Sequence, residues 1–94
     1  MVIVTSRYLK PLEVIEALRE EHRAFLAVYY KQQKLICSGP QNPKVGGAIL
    51  ASVGIDEARE IMKNDPFVLH GAAEYSFIEF TPRSFDPRFA CFLQ

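Results

Sequence analysis

Residues 11–33 read PLEVIEALREEHRAFLAVYYKQQ. Ile15, Leu18, His22, Phe25 and Tyr29 follow one another at spacings of three and four. That is the stripe a helix turns toward a core, and Leu26 lies beside it. The opposite face is Glu13, Glu16, Glu20, Arg23, Ala27 and Lys31, mostly solvated. The spacing predicts a helix from Pro11 to about Lys31, with Pro11 in its first turn and Glu13 complementing its dipole. His22 departs from its neighbours: it aims an imidazole inward, mid-helix, where a Leu would be expected. An inward imidazole is either a core histidine with a hydrogen-bond partner or an acid–base group, since imidazoles titrate near neutral pH.

This helix would span roughly 30 Å, against about 20 Å for a six-residue strand. It should overhang its sheet, so that Val28-Tyr29-Tyr30 protrudes unless a partner subunit covers it. Before the helix, VIVTSRY (residues 2–8) reads as a first strand, with Val2, Val4 and Ser6 on one face and Ile3, Thr5 and Arg7 on the other. After it, LICSG (residues 35–39) is a second strand, ended by Pro40 and Pro43. Gly46-Gly47 opens a third strand that runs to Val53. Asp56 is placed to cap a short helix from Glu57 to Lys63, in which Ala58, Ile61, Met62 and Asp65 share a face. Asp65 precedes Pro66, which ends the helix there, and Asp65 is placed to cap a following turn, Pro66 to Leu69. Glu74 to Phe80 is the last strand, with Tyr75 and Phe77 on one face and Ser76, Ile78 and Phe80 on the other.

The order βαββαβ is the ferredoxin-like split unit, an α+β fold with a four-stranded antiparallel sheet and two helices on one face. Strands one, three and four carry apolar residues on both faces, so the uncovered face needs a partner. A second copy of the sheet is the simplest, and a homodimer or higher homo-oligomer is expected. Residues 1–82 form the domain and residues 83–94 a C-terminal tail. Phe85, Phe89, Phe92 and Leu93 suggest that the tail docks on a surface.

Composition narrows the function classes. The 94 residues are 49% hydrophobic and 23% charged, which describes one globular domain rather than a disordered chain. Eleven basic and eleven acidic residues cancel, leaving no electrostatic footprint for nucleic acid or a membrane surface. No run approaches the roughly 20 apolar residues of a membrane span. The N-terminus lacks the basic lead and cleavage site of a signal peptide, so a cytoplasmic location is expected. Cys37 and Cys91 are far apart and are expected to be reduced thiols. With no metal-ligand spacing, phosphate loop or dinucleotide fingerprint, neither a metal nor a cofactor is expected.

Five further positions could join His22 in a site. Asp65 lies on an inward helical face at a helix break. Two helices side by side on one sheet face would let the carboxylate orient the ring and stabilise its protonated form. Its plainer role is a helix cap before proline. Ser38-Gly39-Pro40 offers a hydroxyl and a close backbone approach at a strand end. Ser38 has no adjacent base and no nucleophile elbow, so these residues are expected to shape a pocket rather than supply a nucleophile. Arg19, one turn before His22, is available to an anionic substrate group if it is not simply solvated. His70, in a turn near Gly71, is expected to be exposed.

These features, taken in order, resemble the YciI-like (YCII-related) proteins. The residues that carry the resemblance are Arg19-Glu20-Glu21-His22 with Phe25-Leu26, Ser38-Gly39-Pro40, Gly46-Gly47, and Asn64-Asp65-Pro66-Phe67 before Gly71. The resemblance covers residues 1 to about 82. It implies a ferredoxin-like fold that dimerises as an α/β barrel, and a His–Asp active-site pair falling on His22 and Asp65. One relative type is a dehydrochlorinase of a chlorinated hydroxyquinol. The expected function is a cofactor-independent enzyme acting on a small-molecule substrate by lyase- or isomerase-like proton transfer. The alternative is a non-catalytic small-molecule binding protein with a buried His–Asp pair, and a third reading makes the pair purely structural.

Overall fold

The computed structural model describes residues 1–93. Strand β1 (Val2–Tyr8) is followed by helix α1 (Leu12–Lys31), strands β2 (Leu35–Pro40) and β3 (Gly47–Ala51), and helices α2 (Ile55–Met62) and α3 (Pro66–Leu69). Strand β4 (Ala73–Glu79) and a 3-10 helix, Pro87–Phe92, complete it. The antiparallel sheet has the order β2-β3-β1-β4. This is the ferredoxin-like arrangement that the pattern predicts, with the turn after Asp65 becoming a short third helix.

Alternation along β1 decides which face is core. Val2, Val4 and Ser6 are buried, and Val4 stands between Ile49 of β3 and Phe77 of β4. The helices cover this face and close a core of Val2, Val4, Leu26, Leu35, Ile49, Ala51, Ala58, Ile61 and Met62. A smaller cluster of Ile15, Phe67, Ala72 and Ala73 ties α1 to α3. On the other face Ile3 pairs with Leu50 and Ile78. Ile78 is 58% exposed there.

Two expectations need correction. Tyr29 and Tyr30 do not protrude: both pack against the core, and the Tyr30 hydroxyl donates to Ser38 Oγ. The length comparison misses that Gln33, at φ 59°, reverses the chain and sends β2 back beneath the last turns of α1. Only Val28 of that trio is strongly exposed. The start of α2 also differs. Gly54 is the N-cap rather than Asp56, and the Ile55 N–H donates to Glu79 Oε2 at 2.9 Å. A carboxylate from β4 does the work expected of a local cap.

The β2–β3 loop is pinned to β1. Tyr8 N–H donates to the Val45 carbonyl at 2.8 Å, and the Gln41 side chain donates to the carbonyls of Ser6 and Gly47 at 3.1 and 2.9 Å. Gly47 N–H donates to Ser6 Oγ at 2.7 Å. Gly46 is buried against β1 with no room for a side chain: a Cβ there would lie 1.7 Å from the Ser6 carbonyl oxygen. The loop therefore holds Ser38–Pro40 and Gly47 firmly beside the end of β1. The tail lies toward the other end of that strand, where Phe92 lines a cleft with Met1 and Phe80. No residue of its 3-10 helix is buried.

Among the described residues no helix is long and apolar enough to cross a membrane.

Candidate active site

Pro66 disfavours helical backbone at Asp65, which takes φ −62° and ψ 133° and becomes the N-cap of α3. Its Oδ1 accepts from the Phe67 N–H at 3.0 Å. Its Oδ2 accepts from the Tyr75 hydroxyl, which reaches in from β4. Both oxygens lie 2.9 Å from His22 Nδ1. Asp65 is fully buried, and the His22 side chain is 18% exposed. The capping role and the pairing role expected of Asp65 are thus both met geometrically, by one carboxylate with three donors.

Phe67 fixes the imidazole in a second direction. Its ring stacks on His22 at 4.0 Å with an interplanar angle of 11°. Tyr8 meets Phe67 edge-on at 6.2 Å. With one edge on Asp65 and one face on Phe67, the imidazole cannot turn without breaking both contacts. A carboxylate accepts and does not donate, so the Nδ1 edge carries the hydrogen. Nε2, on the opposite edge, is left with its lone pair.

His22 lines a cavity of about 240 Å³ between α1 and the sheet. Ser6 and Ile49 contribute to its sheet side, and Ser38, Gly39, Pro40 and Gly47 form a wall. Arg19 and Arg23 come from α1. Arg19 is ion-paired with Glu16, and Arg23 lies 4.0 Å from Glu20. All six positions singled out in the sequence (Arg19, His22, Ser38, Gly39, Pro40 and Asp65) therefore converge here, five on the cavity and Asp65 directly behind His22. His70 is exposed in the turn after α3 and takes no part.

Three contributors, Tyr75, Phe67 and Tyr8, were not predicted as site residues. Tyr75 had a signal: it sits on the inward face of its strand, so its hydroxyl, like the imidazole of His22, needed a partner. Burial raises its phenol far above the ordinary range, and the charge and hydrogen bond of Asp65 push it the same way. The phenol therefore keeps its proton and remains a donor to Asp65. The ordinary value is 10.0. A group whose folded value lies above its unfolded value stabilises below the unfolded value and loses that contribution as pH rises. Wild-type stability should decline above about pH 10 more steeply than that of Tyr75→Phe, measured by urea unfolding across the alkaline range. Parallel pH profiles for the two proteins would contradict the assignment.

Among the described residues no group of three or more His, Cys, Asp or Glu side chains could hold a metal ion.

This fold, with a buried carboxylate behind a cavity-lining histidine, belongs to a known family. The YCII-related domain matches residues 1–81, and the chain is a member of that family. Among solved structures it is similar to 5-chloro-2-hydroxyhydroquinone dehydrochlorinase from Burkholderia phenoliruptrix AC1100, in complex with 2,5-dihydroxybenzoquinone. The TM-score is 0.68 and the identity 20%, over 86% of this chain and 94% of that one. The likeness establishes the α+β ferredoxin-like fold. No curated protein matches the chain in sequence.

Proposed function

We propose that the protein is a cofactor-independent enzyme in which His22 moves a proton and Asp65 holds the imidazole. One observation carries this reading: Nδ1 lies 2.9 Å from both Asp65 oxygens, and the same ring lines a cavity. Nε2 then serves as the base. It takes a proton from a substrate carbon, and the C–H electron pair becomes a new double bond. In an elimination the leaving group departs from the adjacent carbon with its own electron pair. In an isomerisation the Nε2–H returns the proton to a different carbon. Either way the imidazolium forms against Asp65, which stabilises it.

Elimination or isomerisation fits better than hydrolysis through a covalent intermediate. Ser38, the hydroxyl in the wall, is bonded to Tyr30 rather than to a base. The likeness to a dehydrochlorinase makes chlorinated hydroquinones the first substrates to try. The cavity lies below the usual range of roughly 300–1,000 Å³ for ligand pockets, which suits substrates of about one ring. In D2O the wild type should release chloride from such a compound, or exchange the labile C–H of a small carbon acid. His22→Ala should do neither while remaining folded. A wild type that binds these compounds and changes none of them is a binding protein instead.

The working unit of this reading is a homodimer joined through the open sheet face. Ile3, Leu50 and Ile78 give that face an apolar centre, and Phe80 is 39% exposed. Sedimentation at micromolar concentration should give twice 10.7 kDa or a multiple of it. Ile78→Lys should shift the protein toward monomer. A wild type that sediments as a monomer contradicts the dimer.

A further inference from the structure

The charged groups that line the cavity are all cationic or basic. They are Arg19, His22 and Arg23, and no carboxylate lines it. Arg19 precedes His22 by one helical turn, a spacing that sets Cβ atoms about 5–6 Å apart on one helix face. Its side chain is 33% exposed, against 65% for Arg23, so Arg19 is the more enclosed of the two. Tyr8 also lines the cavity. Burial raises its phenol, and the nearby Arg19 charge only partly offsets this, so it too is an O–H donor at neutral pH. A guanidinium and a phenol beside a base form a donor set for an anionic oxygen. The planar fork of Arg matches a carboxylate in particular.

We infer that Arg19, with Tyr8 beside it, holds a carboxylate of the substrate, so that the substrate class is small organic acids in their anionic form. Arg19 and His22 line the same cavity one helical turn apart, so the held carboxylate and the carbon that gives up its proton belong to one small molecule. Glu16, itself 49% exposed, occupies the Arg19 guanidinium in the empty protein. An exposed ion pair of this kind is held weakly, so an incoming carboxylate can replace it. The inference rests on the proposed function only in which substrate atom loses the proton; the anion site stands on the cavity lining.

Benzoate and benzamide have nearly the same shape and differ by one charge. Each is titrated at low salt into 15N-labelled protein, with amide shifts reporting where it binds. Benzoate should shift residues around the cavity and bind about tenfold more tightly than benzamide, as a charge-assisted hydrogen bond provides. Arg19→Gln should erase that preference. Glu16→Gln should strengthen benzoate binding, an effect that no loss of folding can imitate. Equal affinity for the two probes, no binding of either, or a preference that survives Arg19→Gln overturns the inference. If the preference depends on Arg19 but proton transfer survives His22→Ala, the mechanism falls and the anion site stands. If activity needs His22 but the probes bind alike, the anion site alone falls.

Discussion

Asp65→Asn should lower the rate of His22-dependent proton transfer by as much as about 10⁴-fold, the loss seen when a carboxylate behind a catalytic histidine becomes an amide. Asparagine is nearly isosteric. Its oxygen can still accept from the Phe67 N–H, so α3 keeps its cap. The change falls on the other contacts. An amide NH2 in place of Oδ2 donates where the carboxylate accepted from His22 and Tyr75, which favours Nδ1 as an acceptor. The ring then carries its hydrogen on Nε2, toward the cavity, and has no lone pair for the substrate. The assay is single-turnover chemistry on whichever compound the wild type converts, with thermal unfolding to show that the variant is folded. A folded Asp65→Asn protein within a few-fold of wild type would mean that the carboxylate caps α3 and does nothing for the imidazole.

Gly46→Ala should cost stability on a comparable scale, about 3 kcal/mol or more, because it drives a side chain into backbone. The new Cβ would stand 1.7 Å from the Ser6 carbonyl oxygen and 2.6 Å from its carbon. Nothing flexible is in the way that could move aside. The loop would have to lift from β1 and give up the hydrogen bonds that Gly47 and Gln41 donate to Ser6 and the one that Tyr8 N–H donates to Val45. Ser38–Pro40 would move with it, so ligand affinity should fall together with the unfolding midpoint. Urea unfolding reads the first effect, and benzoate titration of the folded fraction reads the second. An unchanged midpoint would show that the loop is not clamped to the sheet.

The helix and the pair were legible for different reasons. α1 announced itself because one face of it meets a core and the other meets water, and His22 stood out as the polar interruption of that face. Asp65 was legible twice, as the residue before a proline and as a polar group on the inward side of α2. What the sequence hides is any contact made between distant elements by an ordinary residue. Tyr75 alternates with Phe77 as a core aromatic does, and nothing local says that its hydroxyl reaches Asp65. Asp56 looks like the cap of α2, while the acceptor comes from Glu79, 24 residues on from Ile55. Tyr29 and Tyr30 looked overhanging because helix length was set against strand length without the return path of β2.

Beneath the proposed chemistry lies a claim about one hydrogen: in the neutral ring it sits on Nδ1 of His22, held by Asp65, and Nε2 is bare. The chain has two histidines, so a long-range 1H–15N spectrum of the imidazoles resolves each ring. Exposed His70 serves as an internal reference. The structure predicts the Nδ1–H tautomer for His22 in the wild type and its conversion to Nε2–H in Asp65→Asn. A wild-type His22 with its hydrogen on Nε2 would leave no base facing the cavity and would contradict the account.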